Sequence, residues 1–211
     1  MTITLRKADH DHTEPDLATV TTRTDADIIR ASQDDPERFA AVFDRYYDAI
    51  HGYAARRLGA SLADDVAAET FLIAFDARAR YDLARPDARP WLYGIASNLI
   101  ARHHRAEVRL YRALARTGVE EVTEGHADRV AVRLDAESAR TLLSGVLAEI
   151  ADRDRDVLLL VAWADLSLQE ASEALGIPAG TARSRMHRAR KQLRAALGET
   201  DPTSPGEDLD R

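Results

Sequence analysis

A short turn between two helical segments constrains the fold of this chain more than any other feature. In LSLQEASEALGIPAGTARSRMHRARKQLR (166–194), Ser167 and Glu170 are spaced as a capping box, a pattern that begins a helix. Gly176 can take the left-handed backbone conformation that ends this helix, and Pro178 is suited to the start of the next one. Two helices joined by three or four residues must cross steeply, so the stretch predicts a helix-turn-helix.

The second helix of this pair separates apolar from basic residues. Its predicted buried face recurs at steps of three and four: Ala182, Met186, Ala189, Leu193 and Leu197. Candidate DNA contacts occupy the other sides: Thr181, Arg183, Ser184, Arg185, His187, Arg188 and Lys191. From Ala174 to Gly198 there is no Asp or Glu, although the formal net charge of the chain is -7. A merely solvated helix usually mixes both signs, so the one-sided charge favours contact with the major groove of DNA.

Helical periodicity also dominates the rest of the chain. Apolar residues follow a helical pattern from Glu37 to Leu58, and Ser61 with Asp64 has the form of a capping box for a second helix. Pro90 is suited to begin a third helix, predicted to run to about Ala106. The apolar run VLLLVAW (157–163) lies between helical segments without a visible partner strand, so we expect it to be helical as well.

These patterns predict an all-α protein with two small helical domains joined by a flexible acidic linker. The expected segments are a flexible N-terminal arm at 1–25, a helical domain at 26–116, the acidic linker at 117–134, a second helical domain at 135–197 and an acidic tail at 198–211.

Composition argues against several other classes of protein. The chain has no Cys, no apolar run long enough to span a bilayer and no signal peptide, so we expect a cytoplasmic protein. It has no glycine-rich phosphate loop or nucleophile elbow, so we expect no enzyme. His10 with His12, and His103 with His104, lack a third ligand at useful spacing. We therefore expect neither a metal nor another cofactor.

Three segments in order resemble the extracytoplasmic-function (group IV) sigma factors of bacterial RNA polymerase, a branch of the sigma-70 family. ADDVAAETFLIAF (63–75) and RPWLYGIASNLIARHHR (89–105) resemble region two of that family, and the stretch at 166–194 resembles the helix-turn-helix of region four. The resemblance covers about residues 35–116 and 135–197. It implies that the second helical domain reads the minus-thirty-five promoter element as duplex.

The resemblance also implies roles for the first helical domain. The helix at 63–75 would dock on the clamp helices of the polymerase β′ subunit through an exposed stripe: Asp65, Glu69, Leu72 and Asp76. Ala68 stands where the family commonly has Gln. The segment around the third helix would read the melted non-template strand of the minus-ten element, with a flipped base held near the loop at 81–88. The candidate contacts are Tyr81, Arg85, Trp91, Asn98, Arg102 and Arg105, with Trp91 equally suited to the core.

The function implied is that of an alternative sigma factor, with core RNA polymerase (β′ clamp helices and β flap) and promoter DNA as partners. An anti-sigma factor is a further candidate partner because many relatives are held inactive by one. The acidic linker would either follow the RNA exit path or serve as a tether. The alternative function is a helix-turn-helix regulator that binds duplex DNA without polymerase; such a protein would need neither segment of region two.

Overall fold

The computed structural model describes residues 23–116 and 141–197, and within these ranges it contains helices and no strand. The prediction of an all-α protein is confirmed. Most of the predicted arm, the whole predicted linker and the predicted tail lie outside the described residues. None of the described helices is both long enough and apolar enough to cross a membrane.

The N-terminal part of the described residues contains three helices before residue 78. A capping box between Thr24 and Asp27 begins α1 (Asp25–Asp34). A single 3-10 turn (Pro36–Phe39) leads into α2 (Ala40–Leu58), which packs against α3 (Ala60–Ala77).

The turn between α2 and α3 consists of Gly59 alone. Its φ of 85° lies in the region that favours glycine, and it lets the chain reverse within one residue. The predicted capping box at Ser61 and Asp64 is therefore wrong, because α3 has already begun at Ala60. The carboxylate of Asp64 instead lies 3.1 Å from the imidazole of His51.

The predicted third helix is two helices in the structure. α4 (Arg89–Arg102) ends at His103, whose φ of -101° and ψ of 17° are not helical, and α5 (His104–Leu114) follows as a separate helix. The N–H of His103 bonds the carbonyl of Ile100 at 2.8 Å, which tightens the last turn of α4. The prediction of one helix to about Ala106 is wrong, and Arg105 consequently lies on α5.

Residues 141–197 form four helices. Residues 141–149 are helical (α6), followed by α7 (Asp152–Trp163), α8 (Leu168–Ala174) and α9 (Ala179–Leu197). The VLLLVAW run is helical, as predicted. α7, α8 and α9 pack on one another around Leu159, Leu160 and Ala171.

The two parts of the chain are packed together. We refer to α1–α5 as the N-terminal unit and to α6–α9 as the C-terminal unit. α4 contacts both α7 and α8, and buried apolar residues form one continuous cluster through both units. α4 packs against helices of its own unit and also against α8 of the C-terminal unit, so most of its sides are buried.

Candidate DNA and polymerase interfaces

The helix-turn-helix has the geometry that its sequence predicts. The Ser167 hydroxyl accepts a hydrogen bond from the Glu170 N–H at 3.2 Å, and the Glu170 carboxylate accepts one from the Ser167 N–H at 2.7 Å. Gly176, with a φ of 61°, ends α8, the first helix of the helix-turn-helix. The capping box and the glycine turn are both confirmed.

On α9, the predicted faces are where the periodicity places them. Ala182, Met186, Ala189 and Leu193 are buried, and the side chain of Leu197 lies outside the description. The predicted DNA contacts form the opposite surface. Thr181 and Arg185 are half-buried, and the remaining five are exposed: Arg183, Ser184, His187, Arg188 and Lys191. α9 therefore presents basic and polar side chains on successive turns of its exposed face.

Arg188 is fixed by an acidic residue of another helix. Its Nε and Nη2 donate to the two carboxylate oxygens of Asp154 at 2.8 and 2.7 Å, and Asp154 is buried in the first turn of α7. The hydrogen bond to Asp154 raises the pKa of Arg188. Because a guanidinium has five N–H donors, three remain for a second partner, and the fork is held in one orientation.

A pocket of about 380 Å³ lies between α4 and the loop that precedes it. It is lined by four of the six residues predicted to contact the minus-ten strand: Tyr81, Arg85, Trp91 and Asn98. Of the other two, Arg102 lies at the end of α4, where its guanidinium is 3.1 Å from the Glu69 carboxylate. Arg105 is exposed on α5 and does not line the pocket.

The loop at 81–88 is held by buried polar groups. Asp25 is buried and accepts hydrogen bonds from the Tyr46 hydroxyl at 2.6 Å and the Ala88 N–H at 2.8 Å, in addition to its ion pair with Arg45. The Tyr81 hydroxyl donates to the carbonyl of Arg85 at 2.8 Å. Burial, together with nearby carboxylates, raises the pKa of Tyr81 to about 12, so this phenol stays protonated as a donor.

The rings of Tyr81 and Trp91 form one wall of the pocket. Their centroids are 4.9 Å apart, and Trp91 is half-buried against the core. Trp91 thus packs with the core on one side and lines the pocket on the other, which combines the two alternatives that its sequence position left open.

The predicted polymerase surface is accessible along α3. Asp65, Glu69, Leu72 and Asp76 are all exposed, and Leu72 is 61% exposed. The sequence analysis missed Phe43 on α2, which is 39% exposed and packs edge-on against Phe71 at 4.9 Å. Exposed apolar side chains on two helices that pack together are typical of a binding surface. The position of Phe43 just outside the buried stripe of α2 was the available signal.

Two acidic residues of α8 were also missed as functional candidates. The Glu173 carboxylate lies 2.6 Å from the Arg85 guanidinium, and Glu170 lies 3.7 Å from Arg89. In sequence these glutamates look like ordinary features of a capped surface helix. In the structure they cover cations at the rim of the pocket.

The described residues contain no group of three His, Asp or Glu side chains that could hold a metal ion. His104 is instead 3.0 Å from Asp152, and His10 and His12 lie outside the described residues. The surfaces described above, basic on α9 and acidic on α3, are typical of a DNA-binding protein that also has a separate surface for a protein partner.

Comparison with known families agrees with this class. Residues 42–110 match the family model for sigma-70 region 2, and residues 140–193 match that for sigma-70 region 4. The chain is 33% identical to the ECF RNA polymerase sigma factor SigW of Bacillus subtilis, over 81% of this chain and 94% of that protein. It is 32% identical to SigL of Mycobacterium tuberculosis, over 77% and 90% of the two chains. The chain belongs to the ECF sigma factors of the sigma-70 family.

Solved structures show the same fold. CnrH, in complex with the cytosolic domain of CnrY, has a TM-score of 0.57 and 24% identity over 83% of this chain and 98% of its own. The sigma factor RpoE of Bartonella quintana, in complex with the anti-sigma factor NepR, has a TM-score of 0.53 and 20% identity over 77% and 98%.

Proposed function

We propose that this chain is an alternative sigma factor of the cytoplasm that binds core RNA polymerase and directs promoter-specific initiation without catalysing a reaction itself. The observation that carries the proposal is the presence in one chain of three surfaces: a basic recognition helix, an aromatic-lined pocket with arginines at its edge, and an acidic stripe. A regulator that binds only duplex DNA requires the first of these surfaces and neither of the others.

The basic face of α9 is suited to the minus-thirty-five duplex. Arg183 and Arg185 lie on the two flanks of this face, and Arg188 lies one turn after Arg185. An arginine here can bond guanine through two hydrogen bonds, and its neighbours can bind phosphates. Because Asp154 holds Arg188 in one orientation, we assign Arg188 to positioning on a fixed base or phosphate and Asp154 to orienting it.

The pocket beside α4 is suited to a base taken out of the melted minus-ten strand. Its aromatic wall offers a stacking surface, which is worth about 1–3 kcal/mol per base, and Asn98 offers donors and an acceptor for a base edge. Arg85 at the rim and Arg102 at the end of α4 would hold the phosphate backbone on either side.

Two surfaces are proposed for polymerase. The acidic stripe on α3, which includes the exposed Leu72, is complementary to basic helices such as those of the β′ clamp. The exposed Phe43 of α2, which packs against Phe71 of α3, is a further candidate contact. The β flap, the second contact implied by the family resemblance, is assigned to the apolar groove between α6 and α9. Leu142, Val146 and Ala195 line this groove, and Leu142 is 47% exposed. An anti-sigma factor remains a candidate partner that these surfaces do not identify.

Transcription in vitro on a promoter library tests this function. Core polymerase with the chain should initiate at a subset of promoters sharing two sequence elements, and core polymerase alone should not. Gel shifts with and without core polymerase distinguish the alternative. Tight, specific duplex binding by the chain alone, with no stimulated initiation, would identify a regulator that acts independently of polymerase.

A further inference from the structure

A further pocket, of about 520 Å³, shares no lining residue with the pocket beside α4 or with the groove between α6 and α9. Five helices line it: α2, α3, α5, α6 and α7. Its apolar wall consists of four leucines and a tryptophan: Leu110, Leu114, Leu143, Leu147 and Trp163. A mostly apolar pocket of this volume between packed helices is typical of a small-molecule site.

The N-terminus of α3 forms part of the same lining. Gly59 precedes this helix of 18 residues and Ala60 begins it, and both residues line the pocket. No side chain caps the helix here, and its first turn contains no acidic residue. The first N–H groups of a helix have no partners within the helix and lie at the positive end of its dipole, so they favour an anion.

Two polar side chains of the lining also offer donors. Ser144 of α6 is 5% exposed, and its hydroxyl has no hydrogen bond with any residue that the structure describes. A buried hydroxyl ordinarily has a partner, because burial without one is unfavourable. Arg56 of α2 is exposed and forms no ion pair with a side chain at 23–116 or 141–197. An anionic acceptor would satisfy both groups together with the helix N–H groups.

We propose that this pocket binds a small free carboxylate with an apolar body, such as a medium-chain fatty acid. The hydrocarbon would lie against the leucines and Trp163, and the carboxylate would accept hydrogen bonds from Arg56, Ser144 and the first N–H groups of α3. The site lies outside the surfaces assigned to DNA and polymerase, so it does not depend on those assignments. A ligand that binds only the folded chain would raise its Tm.

Decanoate is the probe, used below the concentration at which it forms micelles. n-Decanol and decyltrimethylammonium keep the chain and remove or reverse the charge. Of the two tryptophans only Trp163 lines this pocket, so the full chain with Trp91→Phe reports binding through Trp163 fluorescence. Decanoate should change this fluorescence saturably and raise the Tm, and the other two compounds should bind about tenfold more weakly.

Two substitutions test the groups that would hold the carboxylate. Arg56→Gln, at an exposed position, should weaken decanoate binding about fivefold. Ser144→Ala should weaken it about threefold or more. Arg153→Gln is the matched control, because Arg153 is exposed on α7 and does not line the pocket, and its decanoate affinity should be unchanged. The weak binding of n-decanol should be the same in Arg56→Gln and in the chain with Arg56.

Three results would overturn the carboxylate site. The first is no saturable binding of decanoate, and the second is equal binding of decanoate and n-decanol. The third is a decanoate affinity that is unchanged in both Arg56→Gln and Ser144→Ala, or lowered equally in Arg56→Gln and Arg153→Gln. Preference for decanoate that is lost in Arg56→Gln and kept in Arg153→Gln would support the site.

Discussion

The side chain of Arg188 illustrates how much a residue's partners decide its role. Helical spacing places it on the DNA-facing surface of α9, beside Arg185 one turn earlier. Arg188 is bonded through two nitrogens to buried Asp154, whereas Arg185 is half-buried and has no ion pair with another described side chain. The two arginines should therefore respond differently to removal.

Replacing Arg185 with Ala should cost about 1–3 kcal/mol of duplex affinity if it bonds a base, with relaxed preference at one base pair and unchanged stability. Arg188→Ala should lower both duplex affinity and the free energy of unfolding, because the buried Asp154 carboxylate loses its partner. Binding to a promoter library and urea unfolding measure the two effects. Equal unfolding free energies for both variants would show that Asp154 does not depend on Arg188.

Glu107 is the residue on which a buried ionic network between the two units depends most. Among the carboxylates at 23–116 and 141–197, it is the one that accepts from both Arg57 and Arg155. Glu107→Ala should lower the free energy of unfolding by about 3–5 kcal/mol, because two buried guanidinium groups lose a partner. Glu149→Ala, which breaks the exposed pair with Arg112 at 3.5 Å, is the control and should cost less than about 1 kcal/mol. Urea unfolding of both variants checks the contrast, and similar costs would contradict it.

At the scale of helices, α3 carries the proposed polymerase contact on one exposed side. Replacing both Asp65 and Glu69 with Lys should abolish core binding, because the lysines reverse the charge offered to a basic partner. The helical circular dichroism should stay unchanged, because both positions are exposed. Loss of the exposed Glu69–Arg102 pair should cost little stability. The double change Asp34→Lys with Glu37→Lys, also at exposed acids, controls for net charge. Unchanged core affinity of the α3 variant would refute the assignment.

The helices themselves were predictable where local signals decide them. The capping box at Ser167, the glycine at 176 and the apolar stripe of α9 are set by residues within a few positions of one another, and all were confirmed. The break at His103 was not predictable in this way. The sequence around it is continuously helix-forming. α5 is held in place by contacts that are distant in sequence, those of Glu107 with Arg57 and Arg155.

At the scale of the whole molecule, the sequence predicts two units and their chemistry but not their docking. Four of the six candidate minus-ten residues meet at one pocket because they lie close together in the chain, on α4 and the loop before it. α8 also lines that pocket, although it is distant in sequence: Glu173, which bonds Arg85, lies 88 positions after it. In the sequence, Glu173 resembles a solvated surface residue and Gly94 resembles a destabilising residue inside a helix. Their roles become visible only in the packing of α8 on α4.

The basic face of α9 predicts a strong salt dependence of duplex binding, although the formal net charge of the whole chain is -7. Arg183, Arg188 and Lys191 are exposed on this face and can bind phosphates. If the chain neutralises four phosphates of a duplex, the slope of log K against log salt should be about -3.6. Titrations of a labelled duplex over a range of salt concentrations measure this slope. A slope near zero would mean that α9 does not bind the phosphate backbone.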